Sequence, residues 1–268
     1  MEKIVKIKLK KSVDHSYSIL ISAKMDLGRE IRKLNLNNNF AVITDNIVYK
    51  LYKDKIIRGF SREKLQYRFF VFKNGERNKN LRVFKKISEQ MLRSGFDRGS
   101  TVIALGGGVV GDLAGYIAGS YMRGIPFIQV PTTLLAQVDS SVGGKVAVDL
   151  KVGKNSVGLF YQPLKVLIDV DFLKTLPDIE FNNGMIEMIK HGIIRDKKYF
   201  TLIEANISGI KKRDRSTMIK LIHRSCLIKG EIVQKDEKEK DLRRILNFGH
   251  TVGHALEVIR HYRLKHGF

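Results

Sequence analysis

The chain has 268 residues, 43% of them hydrophobic and 28% charged. That suits one large or two modest globular units, each burying its own core, and excludes a disordered chain. Lys and Arg number 49 against 27 Asp and Glu, a formal net charge of +22, and the single cysteine, Cys226, excludes an internal disulfide framework.

Where the charge lies narrows its meaning. Between Thr101 and Gly192, six Lys and one Arg stand against six Asp and two Glu. The glycine-rich centre is therefore near neutral, and the excess lies in the flanks. Much of it is Lys on a polar face, as in Lys6, Lys8 and Lys10. No zinc-finger, RNP or basic-zipper pattern accompanies it. The charge reads as a solvated surface, and no nucleic-acid partner is expected.

The opening MEKIVKIKLKK alternates apolar residues with Lys. It predicts a half-buried strand over Ile4–Leu9 and not the apolar core of a signal peptide. Further strands are expected at Tyr17–Ile21, Phe40–Thr44, Gln66–Phe72, Thr101–Leu105, Phe127–Val130 and Val166–Val170. Helical patterns lie between several of them, notably Asn46–Ile57 and Lys79–Leu92. Such alternation predicts an α/β unit with a Rossmann-like, mainly parallel sheet.

The apolar stretch Thr101–Met122 is long enough to span a bilayer, but Asp112 sits in its middle and six glycines interrupt it. A carboxylate at mid-bilayer is costly. A buried strand, a tight turn and a helix fit better, so no membrane partner and a cytoplasmic location are expected. After Pro177 the strand runs stop. Helical periodicity holds from Asp178 to about Arg260, with Met218, Leu221, Ile222, Cys226 and Ile228 on one face. The expected division is an α/β unit over 1–176 and an all-α unit over 177–268.

Gly106-Gly107-Gly108-Val109-Val110-Gly111-Asp112 follows a β-branched strand and opens a helix. Glycines let a backbone approach a pyrophosphate closely, and the helix start offers it free N–H groups. The same pattern also serves as a plain strand-to-helix turn. Asp45-Asn46 follows an earlier strand and could hold a ribose hydroxyl, although Asx residues at a helix start also act as caps. Glu76 and Lys79 end another strand and read first as turn plus surface charge.

The run from Pro131 to Lys145 is denser, with hydroxyls, Asp139, two glycines and a lysine after an apolar strand. Lys154-Asn155 follows nine residues on. Two lysines and an amide in one connecting region suit a phosphorylated or carboxylated substrate. Glu187 and His191 lie one helical turn apart, as do His250 and His254, and His266 follows. Three His and one Glu suffice for a three-ligand metal site with an open position, but spacing does not say which donors bind. The H-E-x-x-H metalloprotease motif is absent.

Together, GGGVVGDLAGYIAGSYMRG, PTTLLAQVDSSVGGKVAVDL, GKNSVGLFYQP, GMIEMIKHG and LRRILNFGHTVGHALE resemble 3-dehydroquinate synthase, of the sugar phosphate cyclase superfamily. The matches occur in order between Asp45 and Gly267. The resemblance implies an NAD-dependent lyase that uses zinc or cobalt and serves the shikimate pathway. Its substrate is a phosphorylated seven-carbon keto-acid, 3-deoxy-D-arabino-heptulosonate 7-phosphate. This is cyclised to 3-dehydroquinate with release of phosphate.

Carried over by motif, the resemblance makes Glu187, His250 and His266 the metal ligands and His254 a proton-transfer residue. Asp139, Lys145, Lys154, Asn155, Lys190, Lys229, Glu239, Arg243 and Asn247 resemble substrate-contacting and relay positions. Arg123 resembles an arginine that the family donates across a homodimer interface. The implied NAD set is Asp45, Asn46, Glu76, Lys79, Gly107, Gly108, Val109, Asp112, Thr132, Thr133, Leu135, Ser140, Phe172 and Thr175. Asp139, Lys145 and Lys154 also face the cofactor in this reading.

The chain departs from the pattern at its end. The family continues after the third ligand as H-G-E and then several helices, including a late substrate-binding lysine. Here the sequence reads His266-Gly267-Phe268 and stops. The resemblance thus implies a C-terminally truncated member. Another sugar-phosphate cyclase and a non-catalytic remnant remain as alternatives. The Lys154-Asn155 pair and Arg243 favour a substrate bearing both phosphate and carboxylate.

Overall fold

The computed structural model describes residues 14–249. The expected strand Ile4–Leu9 and the histidines His250, His254 and His266 lie outside the described residues.

Six strands form one sheet: β1 (Ser18–Ser22), β2 (Phe40–Asp45), β3 (Tyr67–Phe72), β4 (Thr101–Gly106), β5 (Phe127–Pro131) and β8 (Lys165–Asp169). Each falls within two residues of its expected position. All neighbours pair in parallel, in the order β1-β8-β5-β4-β2-β3. Such strands are covered on both faces, which is why β4 reads as an unbroken apolar run and is buried at every residue.

Alternation along each strand splits the core in two. Ala41, Ile43, Val102 and Ala104 face Ile87 of α3 (Leu81–Arg93) and Leu113 and Ile117 of α4 (Gly108–Ser120). Phe40, Val42, Ile103 and Leu105 face Ile31 of α1 (Leu27–Arg32) and Ile56 and Phe60 of α2 (Asn46–Arg62). The chain steps from β2 outward to β3, then returns to build β4, β5 and β8 on the other side. The crevice between the carboxyl ends of β2 and β4 is thus a topological switch point, where open α/β sheets bind ligands.

Strands stop at Asp169, and helices follow as α5 (Asp178–Arg195), α6 (Lys197–Ala205), α7 (Ile207–Lys211) and α8 (Arg215–Lys235). Their apolar faces, with Phe181, Met188, Met218, Leu221 and Ile222, pack against Val166 and Ile168 of β8. The protein is an α/β unit with a Rossmann-like parallel sheet, followed by an all-α region. The helical run expected to about Arg260 is interrupted. Asp236 ends α8 and accepts the backbone N–H groups of Lys240, Asp241 and Arg243, folding the chain into a 3₁₀ segment over Leu242–Asn247.

One element was not anticipated. β6 (Lys145–Leu150) and β7 (Gly153–Phe160) form an antiparallel hairpin apart from the main sheet, where the sequence suggested only a connecting region. No helix among the described residues is long and apolar enough to cross a membrane.

Candidate active site

The residues implied for the cofactor gather at the carboxyl edge of the sheet. Asp45 ends β2 and caps α2 through Ile47 and Val48, while Asn46 Oδ1 accepts the N–H of Asn74 after β3. Glu76 and Lys79 belong to the turn after β3. Gly107, Gly108, Val109 and Asp112 turn from β4 into α4. Thr132, Thr133 and Leu135 follow β5, and Phe172 and Thr175 follow β8. Five strand ends thus converge, with the switch point among them.

The glycine turn is shaped for close approach. No side chain caps the start of α4, so its first N–H groups face the crevice unsatisfied by a cap. A Cβ on Gly107 would come within 2.9 Å of Thr133 Cγ2. Free helix-start donors beside a backbone without side chains fit a pyrophosphate. At the far end of this edge, Phe172 is buried and packs edge-on against Tyr52. The Tyr52 hydroxyl pairs with Thr175 Oγ1. Tyr52 was not singled out in the sequence, because a tyrosine on an amphipathic helix reads as core.

Lys79 is buried although it is a lysine, and its Nζ is surrounded. Glu76 lies at 2.7 Å, Asp112 at 3.1 Å, Asp149 at 3.7 Å and Asn155 Oδ1 at 2.7 Å. Burial alone would lower the lysine pKa, but Asp112 and Glu76 outweigh it and hold the ammonium charged. Burial lifts the Asp112 carboxyl to about 6 against the pull of Lys79. The turn-plus-surface-charge reading of Glu76 and Lys79 is therefore wrong for Lys79. Tertiary contacts from α4 and the hairpin enclose it.

A second group lies where α5 and α8 meet the segment after β5. Residues Ala136–Ser140 form a π-helical turn, an uncommon geometry that recurs at functional sites. It carries Asp139 and Ser140. Lys229 of α8 donates to the Asp139 carbonyl at 2.6 Å and to its carboxylate at 2.5 Å. Burial would raise the Asp139 pKa, but Lys229 and Lys190 prevail and hold it well below the usual carboxylate range. Lys190 pairs with Glu187 one turn earlier on α5.

Asp139, Glu187 and His191 offer donor atoms within 4.8 Å of one another. Burial pushes the His191 imidazole down to about 4, so the ring is neutral at pH 7. Its Nδ1 lies 2.7 Å from Ser225 Oγ, and its Nε2 has no hydrogen-bond partner among the described residues. Oxygen and neutral nitrogen donors at this spacing fit a zinc- or cobalt-like ion. Of the three implied ligands, only Glu187 is among the described residues.

The third group closes the other side. Arg243 is buried, donates to the carbonyls of Gly143 and Glu237, and lies over the Phe160 ring. Lys145, at the start of β6, pairs with Glu239, and Glu239 accepts from Asn247 Nδ2 at 2.7 Å. Burial, with Arg243 and Lys229 nearby, lowers the Lys145 ammonium to about 8. Asn155 and Lys154 lie on β7. The hairpin thus reaches from the Arg243 group to the Lys79 group. Arg123 is the exception. It sits exposed in the turn between α4 and β5, at the opposite edge of the sheet.

Sequence reasoning missed Asp149 and Ser225. The alternation Val146, Val148 before Asp149 was a strand signal that could have placed Asp149 at a hairpin end. Nothing in the sequence marked Ser225.

The N-terminal 3-dehydroquinate synthase model matches residues 69–183, and the C-terminal model of that family matches 184–268. A 3-dehydroquinate synthase of Thermodesulfovibrio yellowstonii is 47% identical over 251 residues, covering 93% of this chain and 70% of that protein. One of Ruminiclostridium cellulolyticum is 47% identical over 255 residues, covering 95% and 71%. Among solved structures, a 2-epi-5-epi-valiolone synthase from Streptomyces hygroscopicus subsp. jinggangensis 5008, with NAD+ and Zn2+ bound, superposes with a TM-score of 0.89 at 26% identity. It covers 98% of this chain and 73% of that one. A 2-deoxy-scyllo-inosose synthase complexed with carbaglucose-6-phosphate, NAD+ and Co2+ gives 0.82 at 30%, over 93% and 69%. With both halves matched in order over residues 69–268 and relatives 47% identical over more than two thirds of their own length, the chain belongs to the 3-dehydroquinate synthase family.

Proposed function

We propose that this chain acts as a 3-dehydroquinate synthase. It would convert 3-deoxy-D-arabino-heptulosonate 7-phosphate to 3-dehydroquinate with release of phosphate, using NAD and a zinc or cobalt ion. The observation that carries the reading is a cluster of four cations near the glycine turn of α4: Lys229 on Asp139, Lys190 on Glu187, Lys145 on Glu239 and Arg243 on the Gly143 carbonyl, with Arg243 and Lys229 close enough to act on the Lys145 ammonium. Such a concentration of cations suits a small substrate bearing both phosphate and carboxylate. Identity of 45–49% to 3-dehydroquinate synthases, against 26–30% to the two other cyclases, favours this substrate over theirs.

NAD would take up and return a hydride, and the metal would polarise the hydroxyl being oxidised as a Lewis acid. Glu187, with His250 and His266, would hold the metal. Asp45, Asn46, Glu76, Gly107, Gly108 and Asp112 would hold the dinucleotide. Lys145, Lys154 and Arg243 bind and orient the anionic groups of the substrate, and Asn155 and Asn247 add directed hydrogen bonds. Lys229 keeps the Asp139 carboxylate ionised and in place. His254 takes the hydroxyl proton in this reading. Arg123, exposed at the opposite sheet edge, serves the site of a second copy in a homodimer. The α/β unit over 1–176 supplies the cofactor wall with Lys145, Lys154 and Asn155, and 177–268 supplies the metal ligands with Arg243 and Asn247.

The test is phosphate release from the seven-carbon substrate by the 268-residue chain with NAD and zinc or cobalt. Release coupled to 3-dehydroquinate formation supports the reading. Turnover of a different sugar phosphate would point to another cyclase. NAD binding without any turnover would indicate a non-catalytic chain.

A further inference from the structure

Asn155 stands in the left-handed region with φ 52. Asparagine tolerates that conformation better than most residues, but it persists where the surroundings fix it. Here they do so at both ends of the residue. Its backbone N–H donates to Asp149 Oδ1 at 2.8 Å, and its side-chain Oδ1 accepts from Lys79 Nζ at 2.7 Å. Asp149 is bound in turn to the same segment, because its N–H donates to the Lys79 carbonyl at 2.7 Å and its carboxylate lies 3.7 Å from Lys79 Nζ. Asp149 and Asn155 flank the hairpin tip, so the tip is fastened to the turn after β3 and not to the main sheet.

Lys79 therefore serves two groups. Glu76 and Asp112 belong to the cofactor wall, and Asp149 and Asn155 belong to the arm that carries Lys154. Three carboxylates compete for one buried ammonium, with Lys154 close enough to Glu76 to help lower its pKa. A ligand whose hydroxyls satisfy Glu76 and Asp112 releases Lys79 toward Asp149 and Asn155. The arm is then held more firmly in the conformation that presents Asn155.

We propose that Asp149 is a positioning residue that couples dinucleotide binding to anion binding, by fixing Asn155 and the hairpin tip against Lys79. The inference rests on the functional reading above, in which NAD lies along the cofactor wall and Lys154 and Asn155 meet the substrate phosphate or carboxylate. Coupling of this kind is reciprocal, since each ligand must change the affinity of the other by the same factor.

The experiment is calorimetric titration of the full chain with NAD and with inorganic phosphate, each alone and in the presence of the other. The wild type is expected to bind phosphate about five-fold more tightly with NAD present, and NAD equally more tightly with phosphate. In Asp149→Asn that factor should fall below about two-fold while each ligand still binds alone. Unchanged coupling in Asp149→Asn, or independent binding in the wild type, overturns the inference and leaves the functional reading standing. Failure of the wild type to bind NAD overturns both. Should Asp149→Asn not fold, hydrogen exchange on the wild type decides. Amides of residues 150–157 should exchange about five-fold more slowly with NAD bound, and an unchanged rate refutes the role of Asp149.

Discussion

Lys229 holds Asp139 twice, donating to its main-chain carbonyl and to its carboxylate from a helix 90 residues further along the chain. The lysine side chain is 7% exposed and the carboxylate 27%. One ammonium thus pins both the π-helical turn and the charge that the turn presents.

Removing that ammonium should strand a largely buried carboxylate. Lys229→Met is expected to cost about 2–3 kcal/mol in urea unfolding, below the range for fully buried pairs because Asp139 keeps some water contact. Asp139→Asn combined with Lys229→Met should recover at least half of the loss. A double variant no more stable than Lys229→Met would contradict the pairing.

Gly143 offers a contrast within one chain. It has φ +99, and a Cβ there would lie 2.5 Å from Arg243 Nη2 and 2.9 Å from Val233. Gly95 has φ +78 with nothing within 4 Å of an added Cβ. Gly95→Ala should cost about 1 kcal/mol, the left-handed penalty alone. Gly143→Ala adds displacement of a buried guanidinium and should cost about 3 kcal/mol or more. Phosphate affinity should fall only in the second. Equal thermal shifts for the two variants would show that Arg243 is not locked against this turn.

Lys145 sets a pH limit. With its ammonium lowered to about 8, it is charged below that pH and loses its charge as pH rises through it. Affinity for the anionic substrate should therefore fall between about pH 7.5 and 9. Lys145→Arg stays charged throughout and should lose that alkaline limb, even if its maximum is lower. An unchanged alkaline limb in kcat/KM for Lys145→Arg would assign the limb to another group.

Cys226 should be inert in the folded state. It is buried, and burial raises its thiol to about 12. Its Sγ also lies 3.3 Å from the Gln137 carbonyl. A thiol-specific chromogenic reagent should react with it at least 100-fold faster in urea than in buffer. Comparable rates would place the thiol at the surface.

The sheet was readable because parallel strands buried on both faces are written as apolar, β-branched runs, and Thr101–Gly106 and Phe127–Pro131 are clear examples. The glycine turn of α4 was readable because its chemistry is local. The β6–β7 hairpin was not, since β7 is mostly exposed and reads GKNSVGLF, without clean alternation. Glu187 with His191, and the run carrying Asp139 and Lys145, stood out by spacing and density, but Lys229, Glu239, Arg243 and Asn247 were visible only through family resemblance. Asp139, Glu187, Lys229 and Arg243 span about a hundred residues, and only tertiary packing brings them together. The same holds for Lys79, whose burial depends on Asp112 and Asn155.

The pairing of β1 with β8 joins Ser18 to Lys165, about 150 residues apart. On the ribosome, at roughly 5–20 residues per second, the first described strand waits about 7–30 s before β8, its sheet neighbour among the described residues, exists. Until then Leu20 and Ile21 lack their β8 partners, and the edge of β5 that β8 covers is also open. Among the described strands, the last to join the sheet is therefore the one that ties β1 to β5, and a nascent chain stalled before Asp169 is the species that should need a chaperone.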